Sequence, residues 1–226
     1  DGVLQLNMGK FSAQRIEGDR SDLAEVFHVK QKETSPGVFD LGHVLVWAPS
    51  LGVDETEAQE YEVTSLILAL GGEGNDTIDL SRVKANLRYE LEGNAGDDTI
   101  LAGSGTGAAR ILGGAGNDTL TGGNGDDDIF GETGNDTING LGGHDWLFGD
   151  GKVKEAIQPS AFKVNGAQVA GFIITIEMKA NDGVDTVKGG DGDDLLFGGG
   201  GGDTLEGGAH ADVLIGEGGK VTVGAD

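Results

Sequence analysis

Ten aspartates occupy one column of a nine-residue pattern. From Gly113 the chain reads GGAGNDTLT, GGNGDDDIF, GETGNDTIN and GLGGHDWLF without a break to Phe148. A second run, ANDGVDTVK, GGDGDDLLF, GGGGGDTLE and GGAHADVLI, extends from Ala180 to Ile215, and two further copies begin at Gly71 (GGEGNDTID) and Gly93 (GNAGDDTIL). The sixth position is Asp76, Asp98, Asp118, Asp127, Asp136, Asp145, Asp185, Asp194, Asp203 and Asp212. Paired carboxylates can do acid–base work, but a catalytic pair is singular, and this column recurs at every turn. It reads as an array of hard oxygen ligands for a cation.

The elements that must position these ligands follow from the other columns. The eighth position is Ile78, Ile100, Leu120, Ile129, Ile138, Leu147, Val187, Leu196, Leu205 and Leu214, aliphatic throughout. Each copy divides into a glycine-rich turn of six residues and a strand of three, with one aliphatic side chain inward and its neighbours outward. Glycine at the first, second and fourth positions permits backbone angles that a Cβ disfavours. Two copies complete a circuit of turn, strand, turn, strand. Stacked circuits give two parallel sheets with the eighth positions as a narrow core.

Residues 18 apart then lie one above another, pairing Asp118 with Asp136, Asp127 with Asp145, Asp185 with Asp203 and Asp194 with Asp212. Carboxylates stacked at the strand spacing of about 4.8 Å repel one another. A hard dication between them removes the repulsion. Carbonyls of one turn facing up and of the next facing down complete an all-oxygen cage of about six ligands, which suits calcium better than magnesium. The main-chain positions expected to contribute are Gly113, Ala115, Asn117, Gly123, Gly125, Gly131, Thr133, Asn135, Gly142, Gly190, Gly192, Gly198, Gly200, Gly202 and Gly208. If most stacked pairs are filled, the chain holds about six to eight calcium ions.

The repeat resembles the RTX (repeats-in-toxin) family, whose nonapeptide is GGxGxDxUx with U aliphatic. The resemblance spans residues 71–148 and 180–219. It implies an all-β chain folded as a calcium-loaded parallel β-roll (a β-solenoid) that is disordered without calcium. It also implies secretion from bacteria, commonly unfolded through a one-step channel. Two turns depart from the pattern: His210 replaces the fourth-position glycine, and Ala180 with Asn181 replaces the leading Gly-Gly. Weaker or incomplete sites are expected at both.

Composition agrees. Asp and Glu number 39 against 15 Lys and Arg, a formal net charge of -24, which opposes compaction unless cations neutralise it. The same charge argues against nucleic acid as a partner. With 44 glycines and 5% aromatics the chain cannot easily build a thick core. The absence of cysteine excludes disulfides and thiolate metal sites. His28, His43, His144 and His210 are scattered without the spacing of a zinc or copper site. No apolar run approaches the roughly 20 residues of a membrane-spanning helix. The chain opens on Asp1, shows no signal peptide, and is read as a piece of a longer protein.

The organisation expected is a β-rich cap or irregular roll segment over 1–70, a first array over 71–150, an insertion over 151–179 and a second array over 180–226. In the first segment, apolar runs at 26–29, 44–47 and 63–70 are separated by turn clusters at 35–37 and 49–52, and 54–62 forms a short helical turn at most. Residues 81–91 read as an opposite half-turn in which Leu87, Tyr89 and Leu91 alternate, and 102–112 as a loose copy lacking the aspartate. The insertion is β-prone at 161–164 and 169–176. Phe130, Phe148 and Phe197, with Trp146 beside them, face away from the core. They form either a partner surface or the seat of the insertion, the preferred reading.

No HExxH or GxSxG is present. The function expected is a non-enzymatic, calcium-triggered structural and secretion-assisting part of a larger secreted or cell-surface bacterial protein. The alternatives are the C-terminal auxiliary region of a secreted protease, lipase or epimerase, or an adhesin segment with a cell-surface or carbohydrate partner. An irregular third-position column makes ice binding the weakest of these.

Overall fold

The computed structural model describes residues 3–7, 26–155, 175–177, 183–216 and 220–222. The nonapeptides form a parallel β-solenoid, and each circuit gives one strand to each of two sheets. The eight-stranded sheet runs β1 (Val3–Asn7), β5 (Leu66–Glu73), β7 (Arg88–Ala95), β9 (Ala109–Ala115), β11 (Asp128–Thr133), β13 (Trp146–Asp150), β17 (Leu195–Phe197), β19 (Val213–Ile215). The ten-stranded sheet runs β20 (Lys220–Thr222), β18 (Thr204–Ala209), β16 (Thr186–Asp191), β12 (Thr137–Gly142), β10 (Thr119–Thr121), β8 (Thr99–Leu101), β6 (Thr77–Arg82), β2 (Val26–Ser35), β3 (Val38–Trp47), β4 (Gln59–Glu62).

Register follows the sequence period. Ile129 pairs with Leu147 and Leu120 with Ile138, each 18 residues on. The core is a thin column between the sheets. Ile78, Ile100, Leu120, Ile129, Ile138, Leu147, Val187, Leu196 and Leu205 are all buried to within 1%, while Leu214 at the end is half-buried. Removing any one would leave a hole that a single-layer core cannot refill. Tyr89 and Leu91, fully buried, continue the column through the irregular half-turn.

The apolar runs of the first segment become β2, β3 and β5. Pro36 and Gly37 turn β2 into β3, with Gly37 at φ +77°, and residues 49–51 and 55–57 each form one 3-10 turn. β2 joins the roll in parallel with β6, while β3 and β4 add antiparallel beyond it. Gln31 fastens this cap. Its Nε2 donates to the carbonyls of Asp40 (2.6 Å) and His43 (2.9 Å), and its Oε1 accepts from the N–H of Lys84 (3.2 Å) and Ala85 (3.0 Å).

The two arrays stack directly on each other: β12 pairs with β16 and β13 with β17. The insertion leaves the stack as an antiparallel pair, β14 (Lys152–Glu155) with β15 (Thr175–Glu177). Its stretch at 161–164, and most of 169–176, lie outside the described residues.

The aromatic stripe is not an open surface. Phe130 is 5% exposed and Phe148 only 1%, with Phe197 and Trp146 half-buried. Phe130, Phe148 and Phe197 stack face to face, centroids 4.9 and 4.8 Å apart, and Arg110 lies over Phe130. In-register pairing of identical ring positions produces the stack.

Candidate metal centre

The sixth-position aspartates form two ladders, one at each end of the strands. In the first, the main-chain N–H of Asp76 donates to Asp98 Oδ1, Asp98 to Asp118, Asp118 to Asp136, Asp136 to Asp185, and Asp185 to Asp203, at 2.7–3.1 Å. In the second, Ala109 donates to Asp127, Asp127 to Asp145, Asp145 to Asp194, and Asp194 to Asp212, at 2.6–3.1 Å. The four pairs expected from the 18-residue spacing are all neighbours. The ladders also pass unbroken across the insertion.

One oxygen of each accepting carboxylate, from Asp98 and Asp127 onward, is thus occupied, and the other faces the turn. Oδ2 of Asp98, Asp118, Asp136, Asp145, Asp185, Asp194 and Asp203 is buried without a hydrogen-bond partner. A buried carboxylate oxygen left so is costly, and its recurrence along both ladders is the mark of a ligand set. Among the described residues no three His, Cys, Asp or Glu side chains converge as a metal cluster. A cation here would be held by aspartate pairs completed by main-chain oxygen.

The glycines show where that oxygen lies. A methyl group on Gly113 would strike Asp118 Oδ2 and come within 2.8 Å of the Gly131 carbonyl one turn up. Gly93, Gly122, Gly131, Gly140, Gly149 and Gly189 repeat the relation. First-position carbonyls therefore face down. Fourth-position carbonyls face up: those of Gly74, Gly96 and Gly116 press on Gly96, Gly116 and Gly134 of the turn above. Each gap between turns thus receives carboxylate oxygen, carbonyl oxygen from above and carbonyl oxygen from below. These residues fit a hard, oxygen-seeking dication of calcium's size and coordination number.

The expected main-chain contributors lie on these turns. Gly113, Ala115 and Asn117, Gly131, Thr133 and Asn135, and Gly198, Gly200 and Gly202 lie in turns of the first ladder. Gly123 and Gly125, Gly142, Gly190 and Gly192, and Gly208 lie in those of the second. Gly123 has a second use: its N–H donates to Asp127 Oδ2 at 2.6 Å. Asp127 is therefore satisfied by main chain on both oxygens, and Ala109 stands where the turn below would carry an aspartate.

The glycine requirement differs from the expected one. In most copies the second and fourth positions take positive φ, as at Gly114 (+120°) and Gly116 (+138°), and Asn94, Glu132, Leu141 and His210 adopt φ of 78–84° where they replace glycine there; Gly123 and Gly125 of the Asp127 turn do not. The first position is absent from this set. It needs glycine because the aspartate carboxylate fills the space of a Cβ.

A further ladder was not anticipated. Fifth-position side chains accept the N–H of the fifth residue one turn up: Asn75 from Asp97, Asp97 from Asn117, Asn117 from Asn135, Asn135 from Val184, and on the other side Asp126 from His144. Its bonds run opposite to the aspartate ladder. Together the two consume the turn N–H groups at the fifth and sixth positions. The sequence signal was a polar fifth column, Asn or Asp in most copies.

Burial, which strips water from the charged form, pushes Asp98, Asp127 and Asp136 up to about 7, Asp145 and Asp185 to about 8, and Asp118 and Asp194 to about 6. The N–H donors pull the other way, and neighbouring carboxylates add to the rise.

Fold and site together define a parallel β-roll with stacked aspartate ladders. The family model for the RTX calcium-binding nonapeptide repeat (4 copies) matches residues 69–82, 90–109, 104–138, 122–151, 179–214 and 188–223, more than half of the chain. The chain belongs to this family and is an RTX calcium-binding repeat module. Neither the curated proteins nor the solved structures provide a significant match.

Proposed function

We propose that this chain is the calcium-folded, non-catalytic part of a larger secreted or surface bacterial protein. It stays unfolded where calcium is scarce and folds where calcium is abundant. The observation that carries the reading is the column of buried, unpartnered Oδ2 atoms along both ladders. A chain of net charge -24 that buries such carboxylates is opposed by self-repulsion and desolvation until cations bind. Ions that bind only the folded state then supply folding free energy. Extracellular calcium modules bind at about 10⁻⁴ to 10⁻³ M, so folding is set by compartment. A module synthesised unfolded suits export as an extended chain. The carboxylates recur at every turn instead of converging on one centre, which supports a scaffold over an enzyme.

The test is far-ultraviolet circular dichroism in millimolar calcium and again after chelation with EGTA. Parallel-strand signal should appear with calcium and vanish with EGTA; a spectrum indifferent to chelation would refute the reading.

A further inference from the structure

The β2–β3 hairpin of the cap stands partly off the roll. β2 runs to Ser35, but it pairs with β6 only from Val26 to Lys30. Its register shifts between His28 and Lys30 on the β6 side, and between Gln31 and Lys32 and again between Glu33 and Ser35 on the β3 side. Such irregularities bend a strand and re-aim its side chains. A cleft of about 410 Å³, lined by residues of β2, β3 and the end of β6, opens here. That size is within the range of small-molecule sites. Gln31 holds the walls together through its bonds to the carbonyls of Asp40 and His43 and to the N–H groups of Lys84 and Ala85.

The lining combines two chemistries. Lys30, Arg82 and Lys84 are cations, three of the 15 Lys and Arg in a chain of net charge -24. Phe39 and Leu45, both half-buried, are apolar. The cations already hold one carboxylate. Arg82 donates to both oxygens of Glu55, at 3.2 and 3.1 Å, and Lys30 donates to the same group. A guanidinium has five N–H donors, so others remain. Lys84 Nζ donates to a neutral partner, the Ser104 hydroxyl, at 3.1 Å. Set against Glu33 and Glu55, the three cations leave one positive charge. One carboxylate cancels it; a sulfate or phosphate dianion overshoots it.

We propose that this cleft binds a small organic monoanion, its carboxylate held by Lys84 and Arg82 and its apolar or aromatic body against Phe39 and Leu45. Charge-assisted hydrogen bonds orient the carboxylate, and burial of the body adds affinity. Among the described residues the lining includes no ladder aspartate, so the site is separate from the calcium ladders. The cap then carries a recognition site beside the repeat scaffold.

Benzoate carries both features and serves as the probe, titrated calorimetrically into the full chain in millimolar calcium. It should bind saturably, one molecule per chain. Benzyl alcohol has the ring without the charge and acetate the charge without the ring; each should bind at least about tenfold more weakly. Sulfate should bind no more tightly than acetate. Lys84→Gln should weaken benzoate by at least about threefold, and Lys84→Glu should abolish its binding. Glu33→Gln removes a competing negative charge and should strengthen benzoate by about twofold. Opposite signs at Lys84 and Glu33 are not what a merely structural role of these side chains would give.

The absence of saturable benzoate binding would overturn the proposal, as would benzyl alcohol, acetate or sulfate binding as tightly as benzoate. So would Lys84→Gln at the parent affinity, which would place the benzoate elsewhere on the chain. If the Lys84 variants lose the parent's circular dichroism spectrum, Glu33→Gln decides: an affinity unchanged or weakened there overturns the proposal as well.

Discussion

The cap and the roll solve the same electrostatic problem in opposite ways. In the cap, carboxylates meet cations of the same chain. Glu55 binds Lys30 and Arg82, Glu60 binds Lys32 at 2.6 Å, and Asp79 meets His28 at 2.9 Å. Hydrogen bonds from Arg82 and Lys30 hold Glu55 down at about 2. Burial pushes Asp79 up, but hydrogen bonds from Ser81 and His28 outweigh it and keep it below the usual range. Lys30 and Arg82 also lie over the Trp47 ring, on which His28 stacks. In the roll, Oδ2 of Asp98, Asp118, Asp136, Asp145, Asp185, Asp194 and Asp203 meets no such partner. From Tyr89 to Gly151 the only Lys or Arg is Arg110. The cap carries its counter-charges in its sequence; the roll must import them. On the proposed reading, the stability of the roll is conditional on the medium, whereas the ion pairs of the cap are internal to the chain.

The largest effect that could break this contrast is pH without calcium. The ladder carboxylates have folded values raised to about 6–8. Their contribution is fully present below the unfolded value near 4 and is lost as pH rises through 6 to 8. In EGTA the roll should be markedly more stable to urea at pH 5 than at pH 8. Glu55 has the opposite sign: its contribution is present above 4.5 and fades as pH falls toward 2. With calcium the trend in the roll reverses, because protons compete with the ion. A calcium-free roll at its most stable at pH 8 would contradict the assignment.

Single substitutions should sharpen the contrast. Asp136→Asn removes charge from the middle of a ladder and should raise the calcium midpoint about tenfold or more in a titration followed by circular dichroism. Glu55→Gln in the cap should leave that midpoint in place and lower stability by less than about 1 kcal/mol, as exposed pairs do.

Alanine at glycine gives a smaller contrast of the same kind. Gly131→Ala drives a methyl group into Asp136 Oδ2 and the Gly149 carbonyl. It should lose calcium, measured by calorimetric stoichiometry. Gly37→Ala, at φ +77° with nothing within 4 Å, strains one turn by about 1 kcal/mol and should bind calcium as the parent does.

Much of this was legible in the sequence because the period is local. An aspartate at every sixth position and an aliphatic residue at every eighth fix which residues stack and which are buried, without knowledge of the remainder of the chain. The first-position glycines were legible in identity but not in cause. They make room for a carboxylate, a contact between residues that the fold brings together. One repeat is split by the insertion: a methyl group on Gly149 would meet Asp185 Oδ2, and Asp150 pairs in register with Glu132. It was hidden because Ala180 and Asn181 complete a plausible nonapeptide by adjacency, while Gly149 and Asp150 do so in space. Phe148 at 1% exposure fits the preferred reading of a covered stripe, although the period itself says which face a side chain takes and not what lies over that face.

The measurement closest to the central claim is diffraction from the calcium-loaded protein with anomalous scattering to locate the ions. Anomalous peaks should lie between successive turns of both ladders, beside Oδ2 of Asp118, Asp136, Asp145 and Asp194. The gap between the turns of Ala109 and Asp127 should be bare. Ladders whose Oδ2 atoms are satisfied by water or by one another, with no peaks between the turns, would contradict the account.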